Sequence, residues 1–242
     1  MRIAVVVLLL FLIACSQPAQ PSMTQPQLKP LTGMLPSGTA TTADGQTIAY
    51  QYYAGKPGSP GVILLHMLRR TRTDWDGIAK WLQKNGYFVI VPDLRGHGQS
   101  TGNWEQFTPD DFNKMTYDVA AMKSVLENNG ADVKKMAIIG ASIGANVALN
   151  YAANDQDVRT VILLSPGLEY RGVKTEGITY TKPFLIVASK EDEYSAQSSQ
   201  QIVARNPSAK LVIYENAGHG TSMFTNKELA PTILEWLQEH AY

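Results

Sequence analysis

The chain has 242 residues, 44% of them hydrophobic, with Lys plus Arg (21) equal to Asp plus Glu (21). That length suits one sizeable core, because an α/β domain of roughly 200 residues is normally a single unit. A net charge near zero supplies no pull toward nucleic acid or an anionic bilayer, so no nucleic-acid partner is expected and membrane attachment needs another cause. The chain starts with a short positive segment, Met1-Arg2, and an unbroken apolar run from Ile3 to Ala14. This run is too short to span a bilayer and has the length of a signal-peptide core. It ends at Cys15, the only cysteine, so no intramolecular disulfide can form. Residues 16–36 are rich in Gln, Pro, Ser and Thr, with prolines at 18, 21, 26, 30 and 36. That composition, without apolar periodicity, predicts a disordered tether.

From Gly38 the pattern changes. Thr39 to Thr42 and Thr47 to Tyr53 are β-prone runs around Ala43-Asp44-Gly45, and Asp-Gly between strands predicts a hairpin. Short apolar runs follow at Val62 to His66, Tyr87 to Val91, Met136 to Ile139, Val161 to Leu164, Phe184 to Ala188 and Leu211 to Tyr214. Helical patterns at 74–85, 111–128, 143–153, 195–204 and 226–240 alternate with them. The alternation predicts an α/β fold: a mostly parallel central sheet with helices on both faces, an N-terminal antiparallel ribbon, and ligands at the carboxyl ends of the strands.

One such strand runs into Gly140-Ala141-Ser142-Ile143-Gly144, which leads into the small-residue run Ala145 to Ala152. Gly-x-Ser-x-Gly between strand and helix is a nucleophile elbow, in which the serine occupies a strained turn and its neighbours must be small. A serine nucleophile needs a base, and the histidines are His66, His97, His219 and His240. His219, in Ala217-Gly218-His219-Gly220 after the last strand, is placed to reach the carboxyl edge of the sheet, whereas His240 falls in the terminal helix. The base in turn needs an orienting carboxylate. Glu191, Asp192 and Glu193 follow the strand Phe184 to Ala188, and Glu169 is a more distant rival. Negative charge on the tetrahedral intermediate calls for two backbone donors: Ile143 after the nucleophile, and Met67 or Leu68 after the strand Val62 to His66.

Two resemblances add to this reading. Leu12-Ile13-Ala14-Cys15 resembles the lipobox of bacterial lipoproteins, which implies cleavage after residue 14, lipidation of Cys15 and a place in the bacterial cell envelope. Ser16 leans toward the outer membrane, facing the periplasm, where the cell has one. Separately, the elbow, Gly218-His219-Gly220 and the run Asp93-Leu94-Arg95-Gly96-His97-Gly98-Gln99-Ser100 resemble the α/β-hydrolase superfamily across residues 37–242. The resemblance implies Asp192 as the acid, in the chain order Ser, acid, His, and gives His97 and Asp93 a bracing role. With about twenty residues between Leu164 and Phe184, the chain resembles the capless branch near dienelactone hydrolases and small carboxylesterases, with no cap domain. It departs from many members at His66-Met67-Leu68, where they carry His-Gly.

The expected activity is serine hydrolysis of ester-type bonds through an acyl-enzyme, on a small-molecule substrate, with no cofactor, no metal and no evident obligate protein partner. Thioesterase or peptidase action would use the same triad, and a haloperoxidase-like side activity would depend on the same Ser142. A non-catalytic surface binding lipoprotein is the alternative of a different kind. Arg69, Arg70 and Arg72 form either a solvated basic loop or an attractor for anionic substrates. Leu168, Tyr170, Met223 and Phe224 are candidates to line the cleft.

Overall fold

A computed structural model describes residues 37–241; the signal segment 1–14, Cys15 and the tether 15–36 lie outside the described residues. Strands β1 (Gly38–Thr41) and β2 (Thr47–Tyr53) form the antiparallel hairpin, with Thr41 opposite Thr47. Its turn is closed by the Thr42 hydroxyl donating to Asp44 Oδ1 at 2.6 Å, with Gly45 at φ 83°. Glycine has no Cβ to oppose that left-handed conformation.

The chain then alternates through β3 (Pro60–Leu65), α1 (Asp76–Lys84), β4 (Phe88–Pro92), α2 (Pro109–Asn113), α3 (Met115–Asn128), β5 (Asp132–Ala141), α4 (Ile143–Ala152) and β6 (Val158–Leu164). A two-stranded ribbon follows, β7 (Glu169–Tyr170) and β8 (Val173–Lys174), and then β9 (Phe184–Ser189), α5 (Glu193–Arg205), β10 (Ala209–Tyr214) and α6 (Leu229–His240). The main sheet has eight strands in the order β1-β2-β4-β3-β5-β6-β9-β10, parallel except for the pairings made by β2. Between Leu164 and Phe184 the ribbon is the only regular structure, so no cap domain occurs among the described residues.

Period-two alternation divides the core into two layers. Ile63, Leu65, Ile90, Ile138, Val161 and Leu163 pack with α3 and α4, while Val62, Leu64, Val89, Ile139, Ile162 and Leu164 pack with α1 and α6. Each fully buried aliphatic side chain contributes about 1.5–3 kcal/mol of transfer free energy, which explains why these strands are unbroken apolar runs. The predicted helix over 111–128 is two helices. A capping box between Thr108 and Asp111 starts α2, and Lys114, at ψ −7°, separates it from α3. Likewise, the last helix starts at Leu229 because residues 220–225 form a 3₁₀ turn.

Because β4 lies on one side of β3 and β5 on the other, the winding direction reverses between β3 and β5. That switch point opens a crevice at the carboxyl ends of the strands. Two glycines set its geometry. A Cβ on Gly140 would sit 2.2 Å from the Gly144 carbonyl oxygen, and one on Gly144 would sit 2.6 Å from that of Leu65. Both contacts are with backbone, which cannot rotate away. Gly140→Ala is therefore expected to destabilise the protein by about 3 kcal/mol, measured as a lowered urea or thermal midpoint relative to Gly77→Ala, where nothing lies within 4 Å of the added methyl.

Candidate active site

Ser142 joins β5 to α4 at φ 55°, ψ −122°, a left-handed conformation that L-residues rarely hold. Its amide donates to the Leu164 carbonyl at 2.8 Å, which ties the turn to the end of β6. Ser142 is 7% exposed. At the N-terminus of α4 the first amides have no intrahelical acceptor, and positive potential gathers there. The Ile143 amide is the first of these.

The candidate acid and base come from neighbouring strands. Asp192 follows β9 and His219 follows β10, and these strands pair in parallel with Ser189 opposite Tyr214. His219 Nδ1 lies 2.6 Å from Asp192 Oδ2. Burial raises the Asp192 carboxyl, but the His219 ring and the Ser195 and Ser165 hydroxyls outweigh it and hold the carboxyl below its ordinary range. Asp192 is also the N-cap of α5, where the helix dipole favours negative charge. An ionised carboxylate can only accept, so the proton sits on Nδ1, and Nε2 keeps its lone pair to take a proton.

His219 bonds none of the rival acids among the described residues. Glu191 accepts from the Ser189 hydroxyl and the Gly218 amide, both at 2.5 Å, and so braces the loop that carries His219. Glu169 exchanges backbone hydrogen bonds with the Tyr194 hydroxyl at 2.9 and 3.1 Å. Glu193 starts α5 and is exposed.

On the opposite wall, the loop after β3 is held by a buried histidine. His66 Nδ1 donates to the Met67 carbonyl at 2.7 Å, and Nε2 accepts from the Leu94 amide at 2.9 Å. Burial pushes the ring's pKa down, which favours the neutral tautomer that those two bonds require. The amides of Met67, Leu68 and Ile143 donate to no acceptor among the described residues. The absent glycine causes no strain at Met67; the left-handed residue of this loop is Arg69, at φ 64°.

The three arginines do not act together. Arg72 is 4% exposed and is ion-paired to the fully buried Asp93, which also accepts from the Arg72 and Gln99 amides at 2.8 and 2.9 Å. Arg70 grips Asp74 through two bonds of 2.7 and 2.8 Å, and Arg69 lies 5.5 Å over the Trp104 ring. The solvated basic loop holds for Arg69 and Arg70, which are exposed, whereas buried Arg72 takes no part in it. His97 stacks on Trp104 and packs edge-on against His66. Arg95 joins Asp118 to Asp44 of the hairpin, with bonds of 2.7 to 3.0 Å. The Asp93 to Ser100 run thus braces the loops that flank the crevice.

Among the proposed lining residues, Met223 is fully buried in the core and Phe224 packs on Trp75 at 5.7 Å. Tyr170 does reach the site. Its ring stands at 87° to that of His219, with centroids 6.4 Å apart, and its hydroxyl lies 2.9 Å from Ser195 Oγ. Burial, helped by the Asp192 charge, pushes the phenol up to about 12 against the pull of the Ser195 and Ser142 hydroxyls, so it is a proton-bearing donor at neutral pH. Sequence reasoning missed Ser165, which is buried at φ 51° and accepts from the Gly220 amide at 2.9 Å. Ser165-Pro166-Gly167 after a strand was its only signal.

Solved structures with the same architecture include an esterase of Pyrococcus furiosus, at TM-score 0.70 and 20% identity over 85% of this chain and 92% of that one. An esterase from Exiguobacterium antarcticum matches at TM-score 0.67 and 17% identity, over 85% and 100%. This is an α/β-hydrolase fold. In sequence, the family described as serine aminopeptidase, S33, matches residues 59–177. A non-heme chloroperoxidase of Streptomyces lividans is 34% identical over 122 residues, 50% of this chain and 41% of its own. A bifunctional esterase/perhydrolase of Acinetobacter calcoaceticus is 31% identical over 129 residues, 52% and 44%. The chain spans less than half the length of these curated relatives. The family match covers Met67, Leu68, Ser142 and Ile143 and ends before Asp192 and His219, whose pairing in the α/β-hydrolase fold rests on the geometry above.

Removing one partner from a buried ion pair leaves an uncompensated charge. Arg72→Gln is therefore expected to cost about 3–5 kcal/mol of stability, whereas Arg69→Gln, which loses only an exposed cation–π contact, costs about 1 kcal/mol or less. Thermal or urea unfolding of the two variants checks the difference.

Proposed function

We propose that this protein is a serine hydrolase that cleaves ester-type bonds, with Ser142 as nucleophile, His219 as general base and Asp192 as the orienting acid. The observation that carries the reading is the 2.6 Å bond from His219 Nδ1 to Asp192, on the loops of paired strands, together with a serine held at φ 55° between strand and helix. Asp192 fixes the tautomer, so Nε2 removes the Ser142 proton as Oγ attacks the carbonyl carbon. The oxyanion is met by the Ile143 amide and by that of Met67 or Leu68. As the intermediate collapses, His219 returns the proton to the leaving alkoxide, and water then repeats both steps on the acyl-enzyme. The esterase names among the relatives and structural neighbours support an ester substrate. The serine aminopeptidase family supports a second reading, amide hydrolysis by the same groups.

The test is hydrolysis of p-nitrophenyl acetate, butyrate and octanoate beside aminoacyl p-nitroanilides, with fluorophosphonate labelling. Ser142→Ala is expected to abolish turnover and labelling, and Asp192→Asn to lower kcat by roughly four orders of magnitude, because the wrong imidazole tautomer then faces the serine. No turnover or labelling above that of Ser142→Ala would favour a binding protein on this fold.

We also infer from Leu12-Ile13-Ala14-Cys15 that the chain is exported and lipid-anchored at Cys15 in a bacterial envelope. The expected outcome is that wild type incorporates a labelled palmitate and sediments with membranes, while Cys15→Ala does neither.

A further inference from the structure

The β7–β8 ribbon has only two residues in each strand, yet it is pinned along its whole length. At its base, Asn146 is fully buried on α4, one helical turn past Ser142 and on the same face. Its side chain accepts from the Gly167 amide at 3.1 Å and donates to the Val173 carbonyl at 2.8 Å, which ties down the chain on both sides of the hairpin turn. At the tip, Arg171 and Gly172 both have positive φ, 54° and 86°, as a tight two-residue hairpin favours. A Cβ on Gly172 would sit 2.5 Å from Pro109 Cβ, and the Asn113 side chain donates to the Gly172 carbonyl at 3.2 Å, so the tip rests on α2. The ribbon is a fixed wall, anchored one turn along α4 from the serine.

Tyr170 is the side chain that this wall turns toward the site. Its hydroxyl is held 2.9 Å from Ser195 Oγ, its ring meets that of Tyr194 edge to face at 5.6 Å, and a Cβ on Gly167 would sit 2.7 Å from the ring. Anchored at its oxygen and packed along its ring, the phenol cannot swing aside without breaking these contacts. Its ring stands at 87° to that of His219, with centroids 6.4 Å apart.

We propose that Tyr170 is a specificity-determining residue, whose ring closes the leaving-group side of the crevice and restricts the substrate to esters of short alcohols. The inference deepens the triad reading above and rests on it. In acyl transfer the leaving oxygen takes its proton from His219, so it must come within hydrogen-bond reach of that ring. A side chain packed on His219 therefore borders the first carbons of the alcohol. The acyl chain leaves the carbonyl carbon by its other bond and does not meet this wall. A wall that cannot yield leaves the methylenes of a longer alcohol unburied or forces them into contact too close to hold.

The experiment measures kcat/KM of the full-length wild type, Tyr170→Phe, Tyr170→Ala and Tyr170→Val, at equal folded content, for ethyl, butyl and octyl acetate and for methyl butyrate and methyl octanoate. Two variants remove the ring, so that the comparison survives the misfolding of one. Both are expected to raise the octyl-to-ethyl acetate ratio by about tenfold, mainly through KM, while Tyr170→Phe, which keeps the ring, holds the wild-type ratio. The octanoate-to-butyrate ratio should stay unchanged. A purely structural role for Tyr170 would lower the rates on all five esters together and leave both ratios where they were. An unmoved octyl-to-ethyl ratio in the ring-less variants, or a change confined to the acyl series, would overturn the proposal. If wild type hydrolyses no ester, the triad reading fails separately. Saturation-transfer NMR with 1-butanol and 1-octanol, which needs no turnover, then reads the same wall: an octanol signal stronger in Tyr170→Ala than in wild type supports it, and an equal one overturns it.

Discussion

The site depends on the close approach of β5 and α4 at the Ser142 turn. Backbone must pass within contact distance of backbone at Gly140 and Gly144, and that is possible only where no Cβ intervenes. The strain of a serine at φ 55° is held by the sheet beneath it, through the Ser142 amide on Leu164 and the buried apolar strands on either side. A flexible loop would relax such a residue into an ordinary conformation, and the hydroxyl would turn away. Here the two core layers fix the strand, the strand fixes the turn, and the turn aims the side chain.

Around that turn, polar groups do what apolar packing cannot, which is to fix loops. The wall bearing Met67 and Leu68 is held by His66 and by the Arg72 to Asp93 pair, and the hairpin is locked to it through Asp44, Arg95 and Asp118. The wall bearing Asp192 and His219 is held by Glu191, Ser189 and Ser165. Such networks are costly to bury and act only when complete. The chemistry is carried by loops, and the loops take their rigidity from a frame of ion pairs and hydrogen bonds.

The strands and the elbow were legible because each depends on a local pattern: an apolar run of strand length, a glycine two residues either side of a serine. The place of His219 was legible for the same reason, as a histidine between glycines after the last strand. Asp192 was not separable from Glu191 and Glu193 by residue chemistry alone, since the choice depends on which carboxylate the turn after β9 presents to the next strand. The fate of Arg72 was hidden too. Nothing local distinguishes it from Arg70, and its burial follows from a carboxylate that folds in from Asp93. Strands β7 and β8, two residues each, are too short for any periodicity, yet they deliver Tyr170. Long-range pairing, more than local preference, is what single-sequence reading cannot reach.

The sheet is not equally firm across the site. Ser142 stands on β5, which is paired on both sides, whereas His219 hangs from β10, the last strand, paired with β9 alone and only partly buried. Edge elements open with less free energy than central ones. Ser142 and His219 therefore belong to regions of different local stability, and warming should separate them before the molecule loses its fold. Reversible heat inactivation, with the sheet intact and Ser142 still in its turn, is the natural failure mode of such a layout.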